Sequence, residues 1–120
     1  MNIEELADRA TEKIYEAEPS LLIRFGERGK EKCLEDNHHH LKQLQTAYEL
    51  NESSFFIEYA LWLNGILTRH GMKTKHLIDN FEIIRDLLAT GRETEQTSRM
   101  DHYLTRAITV LKGESAKGEV

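Results

Sequence analysis

The sequence predicts an all-α fold, on three observations. Apolar residues recur at three- and four-residue intervals along most of the chain. No run alternates β-branched with polar residues, and proline occurs once. The third observation is residues 53–70, SSFFIEYALWLNGILTRH, the most apolar stretch of the chain. Here Phe56, Ala60, Leu63 and Leu67 form one stripe at helical spacing, and Phe55, Tyr59, Trp62 and Ile66 form a second beside it. An ordinary surface helix carries one such stripe. Two stripes predict a helix covered by neighbours on several sides. The expected architecture is therefore an up-and-down bundle of about five helices wrapped around this central one. Glu58, Asn64, Thr68 and Arg69 interrupt the run within the roughly 18–20 residues that a membrane span requires, so no span is expected.

Each element has its own signals. Residues 2–17 read as a helix with Ile3, Leu6, Ala7, Ala10 and Ile14 on one face and Asn2 as its cap. Glu4 and Glu5 suit its positive N-terminus. Pro19 ends it or opens a short helix, Ser20–Phe25, and Gly26–Lys30 reads as a hinge-like turn. The next helix runs from Lys30 to Leu50 with Cys33, Asn37, His40, Leu41, Leu44, Ala47 and Tyr48 inward. Asn51 or Ser53 can cap the central helix, and Gly71 suits a left-handed residue just past its end. Thr74 is the expected cap of the helix Lys75–Thr90, whose stripe is Leu77, Phe81, Ile84 and Leu88. A polar link, Arg92–Ser98, precedes a last helix with Met100, Tyr103, Leu104, Ala107, Ile108 and Leu111 on its inner face. Residues 1–112 read as one domain and residues 113–120 as a frayed polar tail.

A chain of 120 residues is long enough for one core without metal or disulfide staples. Charged residues make up 31% and the net charge is −5, so no basic face for nucleic acid is expected. The lone Cys33 excludes an intrachain disulfide. The acidic, amphipathic start MNIEELADRA does not resemble a secretory signal, and a cytoplasmic location is the expectation.

The candidate chemistry centres on Asn37-His38-His39-His40. Glu35-x-x-His38 and Asp36-x-x-His39 match the carboxylate–histidine spacing of metal sites in bundles, but no second Glu-x-x-His completes a di-metal set. The stripe also turns Glu35 and His38 outward, and the region reads as a solvated face with no metal assigned. His40 lies on the apolar face. It reads either as a cofactor contact, such as a haem ligand, or as a buried histidine with its hydrogen bond satisfied. Tyr59 and Trp62 read either as a flat wall against a ring ligand or as plain core. Cys33, near Arg28, Lys30 and Lys32, reads as a reactive thiol or as a small buried residue. The chain has no HExxH, CxxC, phosphate loop or dinucleotide fingerprint, and no enzymatic activity is expected.

The segment Arg24-Phe25-Gly26-Glu27-Arg28-Gly29 carries a resemblance, continued by Lys32-Cys33, Asp36, His40-Leu41, Leu44, Phe56, Tyr59, Trp62, Leu67 and Arg69. Over about residues 20–90 the chain resembles the helical domain that precedes the cobalamin-binding domain in a group of bacterial regulatory proteins. The resemblance implies a sensory or regulatory module. In the light-sensing cobalamin regulators such a bundle packs over the upper face of the corrin. Those bundles carry a Trp followed ten residues later by Glu-His; here Met72 occupies that place and the nearest histidine is His70. The resemblance thus covers the bundle half without the half that supplies the lower ligand.

The functional expectation is a non-enzymatic sensory or regulatory bundle acting through protein contacts. The partner is another protein or a second copy, with the stripe Phe81, Ile84, Leu88 as first candidate for a dimer contact. The alternatives are a tetrapyrrole sensor, taking cobalamin, haem or bilin at His40, Tyr59 and Trp62, and a metal-dependent helical-bundle enzyme.

Overall fold

The computed structural model describes residues 1–118, with the backbone alone at Gly118. It holds five helices and, among the described residues, no strand: α1 (Ile3–Ala17), α2 (Ser20–Leu50), α3 (Ser53–Arg69), α4 (Thr74–Thr90) and α5 (Glu95–Gly118). The all-α class is as the sequence indicates. The chain divides into two compact units, Met1–Lys42 and Gln43–Val120, with the division falling inside α2. No helix among the described residues is long and apolar enough to cross a membrane.

In the first unit, Asn2 caps α1 by accepting the Glu5 N–H at 3.0 Å, and Glu4 and Glu5 occupy the first turn. Ala7, Ala10 and Thr11 are buried. The Thr11 hydroxyl donates to the Ala7 carbonyl at 2.8 Å and accepts from the Asn37 amide at 3.1 Å. The same amide nitrogen lies 3.2 Å from the Cys33 carbonyl, so the amide nitrogen of fully buried Asn37 finds acceptors on both α1 and α2. The helix expected at Ser20–Phe25 is present, but the hinge is narrower than Gly26–Lys30. Gly26 alone leaves helical geometry (φ 69°, ψ −172°), and the helix resumes directly after it. That conformation is essentially restricted to glycine.

The second unit opens with the end of α2, which buries Leu44 and Ala47. Asn51 terminates this helix in the left-handed conformation (φ 56°), which asparagine tolerates. It therefore does not cap α3. That position belongs to Glu52, which makes no side-chain capping bond. Gly71 has the expected positive φ (88°). Lys73, not Thr74, precedes α4, and its N–H donates to His76 Nδ1 at 3.0 Å. Thr94 and Thr97 bond reciprocally, each side-chain oxygen accepting the other's backbone N–H (2.9 and 3.1 Å). This pair starts α5 at Glu95, inside the stretch expected to be a link. The polar end read as frayed from Gly113 is helical through Gly118; Glu119 and Val120 lie outside the described residues.

α5 packs against both α4 and α3. Its stripe, Met100, Tyr103, Leu104, Ala107, Ile108 and Leu111, is buried throughout. From α4 come Leu77, Ile78, Phe81, Ile84, Leu87 and Leu88. Phe81, Ile84 and Leu88 thus belong to the core of this unit and are not available as a dimer stripe. α3 contributes Phe56, Ala60, Leu63 and Asn64. Its burial is one-sided, because Trp62 keeps 63% of its surface exposed. The second apolar stripe of α3 is therefore only partly covered, with Phe55, Tyr59 and Ile66 half-buried and Trp62 exposed.

Candidate functional site

The outward side of α3 is the most distinctive surface of the second unit. An aromatic series leads to it from the core. Phe81 and Phe56 have ring centroids 5.2 Å apart, Phe56 and Tyr59 5.8 Å, and Tyr59 and Trp62 6.4 Å. Phe81 and Phe56 are fully buried, Tyr59 is half-buried and Trp62 is exposed. The indole has the Tyr59 ring as a tilted neighbour and 63% of the residue's surface open to solvent. Phe55 and Ile66, one turn or two away, are half-buried on the same side of the helix. Reading Tyr59 and Trp62 as plain core does not hold for Trp62.

His40 sits in the first unit and is 1% exposed. Burial, with the neighbouring His39 as a lesser cause, pushes its pKa down to about 3. The ring is therefore neutral at physiological pH and offers no open edge at the surface. His39 and Glu35 are exposed and His38 is half-buried. Among the described residues no group of three or more His, Cys, Asp and Glu side chains is arranged to hold a metal ion.

Cys33 is a protonated thiol and not an activated one. Burial first and the Asp36 carboxylate second push its pKa up to about 11, against the lowering effect of a hydrogen bond with Thr11. Asp36 is itself raised above the usual carboxylate range, mainly by burial. The lysines that sequence proximity placed near Cys33 do not outweigh these effects.

A shallow, solvent-open hollow lies over the Gly26 break, lined by Phe25, Arg28, Gly29, Glu31, Lys32 and Glu35. Its lining holds two cations, Arg28 and Lys32, and two carboxylates, Glu31 and Glu35, so the hollow carries no net formal charge. Beside it Ile23 is 87% exposed and Leu22 39%.

No family model, curated protein or solved structure matches the chain.

Sequence reasoning named Tyr59 and Trp62 but missed which way they face. The signal was present in the outward arc itself. Glu58 and Arg69, the charged residues of α3, lie at helical spacing from Trp62 and mark its side as the wet one.

Proposed function

We propose that this protein is a non-enzymatic regulatory module that acts through protein contacts, with the outward aromatic face of α3 as its contact surface. The observation that carries this reading is the exposure of Trp62. A large indole left 63% open to solvent forgoes the greater part of a burial energy that is about 1.5–3 kcal/mol for a fully buried large apolar side chain. Tryptophan is also the residue most enriched among the anchors of protein interfaces. The resemblance of residues 20–90 to the helical domain of cobalamin-dependent regulators accords with a regulatory role, and the lone Cys33, which allows no intrachain disulfide, accords with a cytoplasmic setting.

A photo-crosslinking phenylalanine derivative at position 62 tests it, with one at the exposed Asp101 of α5 as control. Discrete crosslinked species from position 62 and not from position 101 are expected. Equal or absent crosslinking at the two positions would count against the reading.

A second reading has a specific observation behind it. The exposed indole of Trp62 offers a ring face on which a planar tetrapyrrole would stack, although the 37° between its plane and that of Tyr59 keeps the pair from forming one flat wall. His40, at 1% exposure, presents no open ring edge to a ligand. An absorbance titration with hydroxocobalamin and with haem separates the readings. A saturable shift lost in Trp62→Ala supports the tetrapyrrole, and unchanged spectra remove it.

A further inference from the structure

The outward arc of α3 carries a pattern of charge and size that is complementary to itself when reversed. Phe55, Glu58, Trp62, Gly65, Ile66 and Arg69 fall within about 100° of the helix circumference. Glu58 and Arg69 are both exposed, and neither forms a salt bridge within the described residues. They stand about 16 Å apart along the axis, three turns from one another and therefore on the same side. Between them the bulky, exposed Trp62 is followed one turn later by Gly65. A Cβ built on Gly65 would meet nothing within 4 Å, so the space over that glycine is open. The Gly65 carbonyl accepts from Arg69 Nε at 3.0 Å, which ties the guanidinium to this face.

We propose that two copies of this chain associate by packing α3 against α3 in antiparallel order about a two-fold axis, each Trp62 seated over the second copy's Gly65. The proposal rests on the reading of α3 as a contact face and names its partner. Two independent features select the same register. Setting Glu58 level with the second copy's Arg69 brings Trp62 level with the second copy's Gly65, without further adjustment. The two-fold axis then repeats both contacts, giving two ion pairs at the rim and two ring-over-glycine contacts at the centre. Half-buried Phe55 and Ile66 supply apolar area beside them. A single helix face lies below the standard interface of about 1,600 Å² total, so the dimer is a weak, concentration-dependent one.

Sedimentation equilibrium of the full chain over a concentration series tests this, with circular dichroism to verify folding of each variant. A monomer–dimer equilibrium is expected. Glu58→Arg and Arg69→Glu each set like charges opposite one another and weaken association by about tenfold or more. Mixing these two variants in equal amounts restores it, because each mixed pair again has opposite charges at both contacts. Gly65→Leu fills the seat of the indole and abolishes the dimer, while leucine's higher helix propensity keeps the monomer folded. A chain that is monomeric at every concentration, or a dimer indifferent to these changes, overturns the proposal. If the chain stays monomeric but position 62 crosslinks to a different protein, the contact face stands and the self-pairing falls. If neither is seen, both fall.

Discussion

Tyr59 and Trp62 have ring centroids 6.4 Å apart, yet the tyrosine is half-buried and the indole is 63% exposed. Between these two residues the apolar interior of the second unit becomes its surface. The same helix that anchors Phe56 against Phe81 presents its largest side chain to water.

Stability should separate the two ends of this series. Phe56→Ala empties a fully buried site and is expected to cost about 3–5 kcal/mol. Trp62→Ala removes a mostly solvated ring and is expected to cost under about 1 kcal/mol. Urea unfolding followed by circular dichroism measures both. Comparable losses for the two variants would mean that Trp62 is packed as core.

The bond from the Asn37 amide to the Thr11 hydroxyl, 3.1 Å long and buried, joins α2 to α1. Thr11→Val removes this acceptor from the amide nitrogen, which keeps the Cys33 carbonyl and Sγ nearby. The expected cost is about 1–3 kcal/mol. A double-mutant cycle with Asn37→Leu should return a coupling of about 1 kcal/mol. A coupling near zero would make the contact incidental.

Acid should weaken the fold through His40. Its folded pKa of about 3 lies below its unfolded value of about 6.5. Between these values the unfolded chain binds the extra proton, so stability is fully present above pH 6.5 and is lost as pH falls towards 3. The slope from this one group is at most about 1.4 kcal/mol per pH unit. Asp36, with its pKa raised in the folded state, acts in the opposite sense in a window just above 3.8. Melting temperatures of wild type and His40→Gln across pH 4–7 decide it. The variant should show the flatter profile; parallel profiles would place the titrating group elsewhere.

The glycines of Arg24-Phe25-Gly26-Glu27-Arg28-Gly29 have different reasons to be there. Gly26 holds a conformation that a side chain strains, and Gly26→Ala is expected to cost about 1–3 kcal/mol. Gly29 is helical, where alanine would ordinarily help by about 1 kcal/mol. Its Cβ, however, would come within 2.4 Å of the Phe25 Cβ, and Gly29→Ala should destabilise instead. A stabilised Gly29→Ala in chemical unfolding would contradict this packing of Phe25.

Much of the fold was legible because local signals suffice for it. The stripes of α4 and α5, the Asn2 cap and the left-handed Gly71 follow from periodicity and capping chemistry alone. The start of α5 was missed because its reciprocal cap uses Thr97 where glutamate or glutamine is usual. The direction of Trp62 was missed for a deeper reason. Periodicity says which residues share a side of a helix; the open side is marked in the sequence only by the two charges Glu58 and Arg69, and the packing of neighbours settles it. α4 and α5 claim the Phe56 side, which left the indole outside. His40 was placed correctly on the apolar face, but its complete enclosure is a tertiary fact.

The most direct test uses the protein's single tryptophan as its own probe. Acrylamide quenching and emission of Trp62 are followed across the concentration series in which molecular mass is measured by light scattering. The account predicts the red emission and efficient quenching of a solvated indole in the monomer. Both should turn to blue-shifted, protected emission in step with the rise in mass. An indole already shielded in the monomer, or one equally solvated in monomer and dimer, would contradict the assignment of this face as the contact surface.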